Sequence, residues 1–419
     1  MKKILLYSDC FMFGGSENMM SVFLNSELFN NEFEIDFAYR YTERYQKGFE
    51  AQVKKMDNCY PLKLLDSYEL IDKKFAPKSK IVRNILWILF IPILRKICIA
   101  RNTKTIQVFM KNKSYDLLYV NNGGYPGGES SYSAIFAAKK LGINKIVYMS
   151  NCIAQGYTVP LRIFDFFRDR KVRNYVTYFV TASKSAKQSL VKVLKIAPGK
   201  IVNIYNGIKL QTLSISKADF RKQYCFDNED FLVTIIANLE KRKGIPYALE
   251  AMEKIDNPKI KLLLRGDGAL KSTIEEIIQK STKKNIFIIP RQNVVGDLIN
   301  ASDVILLPSI GFEDLPNTIS EAMGYGKVVL STRVAGIPEQ IVDGKTGFLI
   351  EKESSESIKN TIIYCYEHKN LMQEMEMNAK KKFNSHFESN VSVNQYVKFL
   401  NMVLNGEKIE NPSMFTENL

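Results

Sequence analysis

An α/β fold with two parallel-sheet domains is predicted by three observations. At 419 residues the chain is long for one hydrophobic core, and chains of that size divide into domains. Short apolar runs alternate with helical patterns throughout, the signature of βαβ units. The rhythm pauses at the turn dipeptide Asn206-Gly207 and then restarts.

In the first half, buried strands are expected at residues 4–7, 35–39, 60–65, 117–120, 146–149, 178–181 and 201–205, where four- to six-residue apolar runs end at polar or turn residues. The first of these follows Met1-Lys2-Lys3. It imitates a signal peptide only briefly, because Ser8 and Asp9 end the apolar run. After Gly207, strands are expected at 231–237, 260–264, 286–289, 304–307 and 328–331. Helices follow from Glu353 to about Leu404, and the residues after Gly406 read as a loose tail. The expected division is 1–206, 207–388, a returning helix at about 389–404, and a tail at 405–419.

The balance of 59 Lys and Arg against 44 Asp and Glu gives a formal charge of +15, which attracts anionic partners. No zinc-finger, RNA-recognition or homeodomain signature is present and the lysines are spread along the chain, so nucleic acid is not expected. The six cysteines, Cys10, Cys59, Cys98, Cys152, Cys225 and Cys365, show no C-x-x-C spacing. That argues against a zinc ribbon or disulfide scaffold and fits a reducing cytoplasm. Two histidines, His368 and His386, give little material for a His-based metal site or a Ser-His-Asp triad.

The segment 78–104 differs from its surroundings. Residues 84–94 are apolar on all sides, include Trp87, and are flanked by Lys78, Lys80, Arg83, Arg95, Lys96, Arg101 and Lys104. The run is shorter than the ~18 to 20 residues of a membrane span, and Pro92 is expected to interrupt it. Apolar run and basic flanks together favour an in-plane contact with an anionic membrane over a buried helix.

The most informative stretch runs from Ser309 to Gly324. It places Glu313 in a loop punctuated by Gly311 and Pro316, and Glu321 in the following helix, at an E-x7-E spacing. Pro316 suits a first helical turn, where its missing N–H costs nothing. Free amides at a helix start suit phosphate, and carboxylates accept hydrogen bonds from sugar hydroxyls. Such a loop fits a nucleotide sugar. Thr318-Ile319-Ser320-Glu321 also fits a capping box, in which the glutamate only ties down the helix.

This pattern resembles the E-x7-E motif of retaining GT-B glycosyltransferases of the fourth glycosyltransferase family (glycosyl transferases group 1). Other pieces follow in the family's order: Phe13-Gly14-Gly15-Ser16-Glu17, Ile204-Tyr205-Asn206-Gly207, Ala237-Asn238-Leu239-Glu240-Lys241-Arg242-Lys243-Gly244, Arg265-Gly266-Asp267-Gly268, Val334-Ala335-Gly336-Ile337-Pro338-Glu339 and Thr346-Gly347-Phe348-Leu349. The resemblance implies two Rossmann-like domains with parallel sheets facing an interdomain cleft. The first domain would bind the acceptor, the second the nucleotide sugar, and a C-terminal helix would cross back to the first.

By the same resemblance, Glu321 holds the ribose hydroxyls and Glu313 lies near the donor sugar, with Asp314, Leu315, Pro316 and Asn317 presenting amides to sugar and phosphate. Gly14 and Gly15 let backbone approach the donor, and Gly266 belongs to the same nucleotide-binding set. Arg291 and Gln292 stand where the family holds the base. In the family an Arg and, five positions later, a Lys neutralise the diphosphate. Lys243 matches the Lys, while the Arg position is Asn238 here, which makes Arg242 the candidate for the second positive charge. A histidine that the family often places after a first-domain strand is replaced by Ser150-Asn151-Cys152, and no acceptor-activating base is named.

The implied activity is that of a retaining hexosyltransferase. It moves a sugar from a nucleotide-diphosphate donor, expected to be a UDP-sugar although GDP donors occur in the family, to a hydroxyl of a glycan or lipid-linked oligosaccharide. The setting is capsule, O-antigen or exopolysaccharide synthesis on the inner face of the cell membrane, with the protein peripheral and cytoplasmic. No cofactor or metal is expected, since no D-x-D motif ends a strand. Rivals are a glycosidase using Glu313 and Glu321, a nucleotide-sugar epimerase, and a non-catalytic membrane-associated partner that kept the fold.

Overall fold

The computed structural model describes residues 1–54, 57–75, 80–158, 161–281, 283–290, 292, 294–311 and 313–416. Side chains at 73–75, 80–84, 86 and 87 are also outside the description, so the expectations on Trp87, Lys78, Lys80 and Arg83 fall outside it, as does that on Arg291. The chain forms two compact units, Met1–Gly207 with Ser392–Leu419, and Ile208–Val391.

The first unit holds a seven-stranded sheet: β1 (Lys2–Ser8), β2 (Phe33–Arg40), β3 (Cys59–Leu62), β4 (Leu117–Asn122), β5 (Ile146–Ser150), β6 (Tyr178–Thr181) and β7 (Ile201–Asn203), in the order β3-β2-β1-β4-β5-β6-β7. The second holds β8 (Phe231–Ile236), β9 (Ile260–Arg265), β10 (Ile286–Ile288), β11 (Val304–Leu307), β12 (Val328–Thr332) and β13 (Gly347–Ile350), in the order β10-β9-β8-β11-β12-β13. Every pairing in both sheets is parallel. Helices on both faces explain why the strands read as unbroken apolar runs rather than alternating ones. In each sheet the order reverses beside the first strand, between β1 and β4 and between β8 and β11. A crevice forms at the carboxyl ends of such a pair.

The Ser389–Asn405 helix packs on the first unit for most of its length. Val393, Tyr396, Phe399 and Leu400 are buried. The Tyr396 ring meets Phe23 edge-on at 4.9 Å, and Ser392 Oγ donates to the Tyr205 carbonyl at 2.7 Å. The expected loose tail is corrected here: Ile409 and Phe415 are buried and Phe415 lies edge-on to Phe399 at 5.9 Å. The burial of Ile409 and Phe415 in a mostly polar stretch holds it down.

A second correction concerns Pro92. The Lys80–Met110 helix, 31 residues long, continues through it without a break. One side of this helix is held by burial of Ile91, Cys98, Ile99 and Ile106. The hydrogen bond that Pro92 cannot donate would have gone to Ile88, an exposed residue whose carbonyl water can serve. The opposite side leaves Ile85, Ile88, Leu89, Ile93 and Ile97 exposed, so the segment is neither wholly core nor wholly surface. Among the described residues no helix is long and apolar enough to cross a membrane.

Candidate functional site

The crevice between β8 and β11 gathers the residues that carry charge. After β8 the chain makes a short turn, Lys241–Lys243, and enters a helix at Gly244, whose φ is +68°. A Cβ there would stand 1.8 Å from the Pro308 carbonyl oxygen. Only glycine lets the β8 loop lie against the β11 loop, and the Ile310 amide then donates to the Arg242 carbonyl at 2.8 Å.

That closeness brings Glu313 to the basic turn. Its Oε1 accepts from Lys243 Nζ, from Arg242 at 3.2 Å and from Ser309 Oγ at 3.0 Å. Arg242 also donates through Nε to Glu240 at 2.7 Å. The Lys243 and Glu313 side chains are only 12% and 9% exposed, so their attraction is weakly screened by water. The group can orient one carboxylate and present two cations to an incoming anion.

Glu321 lies in the Asn317–Gly324 helix, half-buried. Burial pushes its carboxyl above the usual range, and the Arg265 guanidinium pulls partly against that. The capping box does not form. The helix is capped at Pro316, which offers no side-chain bond, so Thr318 is already helical and Glu321 has no capping duty. The loop before it is braced by Gln340, whose Nε2 donates to the Pro316 carbonyl at 3.0 Å and to Ser320 Oγ at 2.8 Å. Asp314 and Leu315 are buried beside Glu313, while Pro316 and Asn317 are half-buried at the helix start.

Gly266 has a packing reason of its own, since a Cβ would come within 1.8 Å of the Ala237 carbonyl oxygen. With the Leu239 amide bonded to the Asp267 carbonyl at 2.9 Å, the β9 loop clamps the backbone around Asn238 and leaves that side chain exposed. Asn238 brings no charge. Gln292 donates to the Tyr224 hydroxyl at 3.3 Å and to the Pro290 carbonyl, and its buried Oε1 has no hydrogen-bond partner among the described residues.

Gly14 and Gly15 belong to the first unit, at the end of the β1 loop. Among the described residues a Cβ on Gly14 would meet only Met12, at 3.9 Å, so no described neighbour demands a glycine there. The loop is anchored by Glu17, which is buried and accepts from Ser8, Tyr45 and Asn121 at 2.9, 2.7 and 2.8 Å. Within Ser150-Asn151-Cys152, the neighbourhood in which the resembling family often has a histidine, the Asn151 side chain donates to Asn121 at 2.8 Å.

Ser309, Arg265 and Gln340 were not nominated from sequence. Each sits next to a nominated residue in space. Arg265 ends β9 and Ser309 lies two residues past β11, positions that could have flagged them; Gln340 had no such signal. Among the described residues no group of three or more His, Cys, Asp or Glu side chains is placed to share a metal ion.

Residues 216–382 match the family model for glycosyl transferases group 1. The chain is 31% identical over 207 residues to a trehalose synthase of Thermococcus litoralis, covering 46% of this chain and 50% of that one. It is 23% identical over 328 residues to the UDP-Gal:alpha-D-GlcNAc-diphosphoundecaprenol alpha-1,3-galactosyltransferase of Escherichia coli, covering 75% and 83%. It spans about half the length of several curated relatives it matches, the trehalose synthase among them. Among solved structures, Anabaena HepE in complex with UDP superposes with a TM-score of 0.75 at 17% identity, over 95% of this chain and 99% of that one. A glycosyltransferase from Rickettsia africae gives 0.76 at 17%, over 97% and 99%. The fold is the GT-B pair of Rossmann-like domains.

Proposed function

We propose, for a chain whose residues 216–382 match the family model for glycosyl transferases group 1, that it transfers a sugar from a nucleotide-diphosphate sugar, a UDP-sugar first of all, to a hydroxyl of a glycan or lipid-linked acceptor. The observation that carries this reading is the convergence of Lys243 and Arg242 on Glu313 at the β8/β11 crevice. Breaking the bond from anomeric carbon to diphosphate builds negative charge on the leaving oxygen, and preformed cations at that point lower the barrier. Lys243 and Arg242, with the amides of residues 314–317, are assigned to that charge in place of a metal. Glu321 is assigned to the ribose diol, Glu313 to the donor sugar, and Gln292 to the base. Gly14 and Gly15 are assigned to donor approach.

Retention of configuration, a place in cell-surface polysaccharide synthesis and a peripheral position on the inner face of the membrane belong to the same proposal. They are supported by the E-x7-E spacing, by the galactosyltransferase relative and by the exposed apolar side of the Lys80–Met110 helix. The test is calorimetry with UDP and GDP, followed by assay of UDP release from UDP-glucose, UDP-galactose and UDP-N-acetylglucosamine with lipid-linked and free glycans. UDP affinity in the micromolar range and acceptor-dependent release are expected. Absence of binding to either nucleotide would overturn the reading.

A further inference from the structure

A cavity of about 440 Å³ lies at the β7 edge of the first sheet and is lined by none of the residues assigned to the transfer. One wall is the Lys184–Leu194 helix. Ser183 caps it, its Oγ accepting from the Ala186 amide at 2.9 Å, and Ala186, Leu190 and Leu194 are buried. With those three turned to the core, Lys184, Lys187, Gln188 and Lys192 fall together on an adjoining flank, at the i, i+3, i+4, i+8 spacing of one helix side, and all four line the cavity. Ser413 and Thr416 supply another wall. They belong to the segment that burial of Ile409 and Phe415 holds down, and the Thr416 amide bonds back to the Ser413 carbonyl at 2.9 Å.

Asn203, the last residue of β7, belongs to the same lining and is only 2% exposed. Its Nδ2 donates to the Thr181 carbonyl at 2.8 Å, while its Oδ1 is buried and has no hydrogen-bond partner among the described residues. A buried carbonyl left without a donor costs stability, so this wall favours a ligand that brings an O–H or N–H. Lysines along a helix flank are ordinarily a solvated face. Here three of them share a cavity with that acceptor, and no acid lines it among the described residues, so the wall also favours an anion. A bare anion such as sulfate meets the lysines and offers Asn203 nothing. The volume falls within the roughly 300–1,000 Å³ of small-molecule sites, more than a lone phosphate fills. A phosphate that carries hydroxyl groups meets all three demands, and the Ser413 and Thr416 hydroxyls can donate to its oxygens or accept from its hydroxyls.

We propose that this cavity is a binding site for a small sugar phosphate, independent of the nucleotide-sugar crevice. The phosphate lies among Lys184, Lys187 and Lys192, and a sugar hydroxyl donates to Asn203 Oδ1. Ser413 and Thr416 bond to the same molecule, which fastens the segment after Gly406 onto the Lys184–Leu194 helix. No bond is made or broken there; the ligand is an effector and not a reactant. The site goes beyond the transfer reading and stands without it.

The experiment titrates glucose 6-phosphate into the full chain by calorimetry, with inorganic phosphate and glucose as the two halves of the probe, and follows hydrogen exchange across residues 409–416. Glucose 6-phosphate is expected to bind at least tenfold more tightly than either half and to slow that exchange. Gln188→Trp fills the cavity from an exposed position, and Lys187→Gln combined with Lys192→Gln removes two of its three charges; none of these side chains is buried. Each change is expected to weaken glucose 6-phosphate binding tenfold or more and to leave UDP titrations and the unliganded melting temperature as in the wild type. Absence of glucose 6-phosphate binding, or binding unaffected by both changes, would overturn the proposal. So would inorganic phosphate binding as tightly as the sugar phosphate, which would reduce the cavity to an anion site. Displacement of glucose 6-phosphate by UDP would overturn it as well, placing the probe in the nucleotide crevice instead.

Discussion

Lys243 and Glu313 stand 70 residues apart in sequence and share a hydrogen bond in the second unit. The pairing gives the ammonium a partner before any substrate arrives, which keeps a nearly buried charge in place. A diphosphate entering the crevice then meets a cation already positioned, so little reorganisation is needed as charge develops.

Lys243→Ala is therefore expected to lower turnover on the order of 10² to 10³-fold, with a smaller loss in donor affinity. Lys243→Arg should recover part of the rate, and Lys241→Ala serves as the control for general loss of basicity. Steady-state kinetics with donor-affinity measurements on the three variants decide the matter. Near-normal turnover in Lys243→Ala would transfer the role to Arg242.

Glu321→Gln should separate stability from binding. Burial raises the folded-state pKa of this carboxyl. Between the ordinary glutamate value and the raised one, the folded chain therefore holds a proton that the unfolded chain has released. Stability falls as pH rises through that window, and the cost persists above it. At neutral pH the amide should raise the melting temperature. It should also weaken UDP binding by roughly 1.5 to 3 kcal/mol, since a charge-assisted acceptor for the ribose is lost. Calorimetry and thermal melts on one preparation read both, and unchanged UDP affinity would remove Glu321 from the site.

Lys327 provides a pH test in the opposite direction. It is buried just before β12, and burial aided by Lys217 lowers its pKa to about 8. Between that value and the ordinary lysine value of 10.5 the unfolded chain holds a proton the folded chain has lost, so stability rises with pH in that interval. Lys327→Met is expected to be more stable than wild type at pH 7, by up to roughly 3 kcal/mol. The advantage should shrink as pH climbs from 8 to 10.5. A gap that stays constant across denaturation curves in that range would refute the assignment.

Gly244→Ala should be costly out of proportion to one methyl group. Its positive φ and the 1.8 Å approach to the Pro308 carbonyl leave no room. Strain of at least ~1–3 kcal/mol is expected, and with it separation of the two loops that Lys243 and Glu313 bridge. Urea denaturation and donor-affinity measurements should move together; loss of stability with intact affinity would uncouple the glycine from the site.

The strands of both sheets were legible because buried parallel strands write themselves as short apolar runs, as at Leu232–Ile236 and Val304–Leu307. Lys243 and Glu313 were nominated by their match to the family's motifs, and the structure adds that both follow strands at the point where the order reverses. Local sequence does not carry contacts that close over long separations. The Arg95–Asp165 bond joins residues 70 positions apart, and neither residue alone announces the other. Phe164 and Phe167 follow no helical or alternating period that separates exposed from buried. Gly266 was legible as a glycine, but its steric demand from the Ala237 carbonyl appears only when β8 and β9 lie side by side.

The helix that carries Tyr396 has a consequence for the order of events on the ribosome. Met1–Gly207 emerges first, yet the rings of Phe23 and Tyr119 wait for a partner encoded beyond the whole of Ile208–Val391. At ~5–20 residues per second the intervening unit takes on the order of 10–40 s to synthesise. Through that interval the nascent early unit exposes an apolar seam, while the later unit, contiguous in sequence, can close its core first. Translation thus reverses the order of completion: the half made first is finished last.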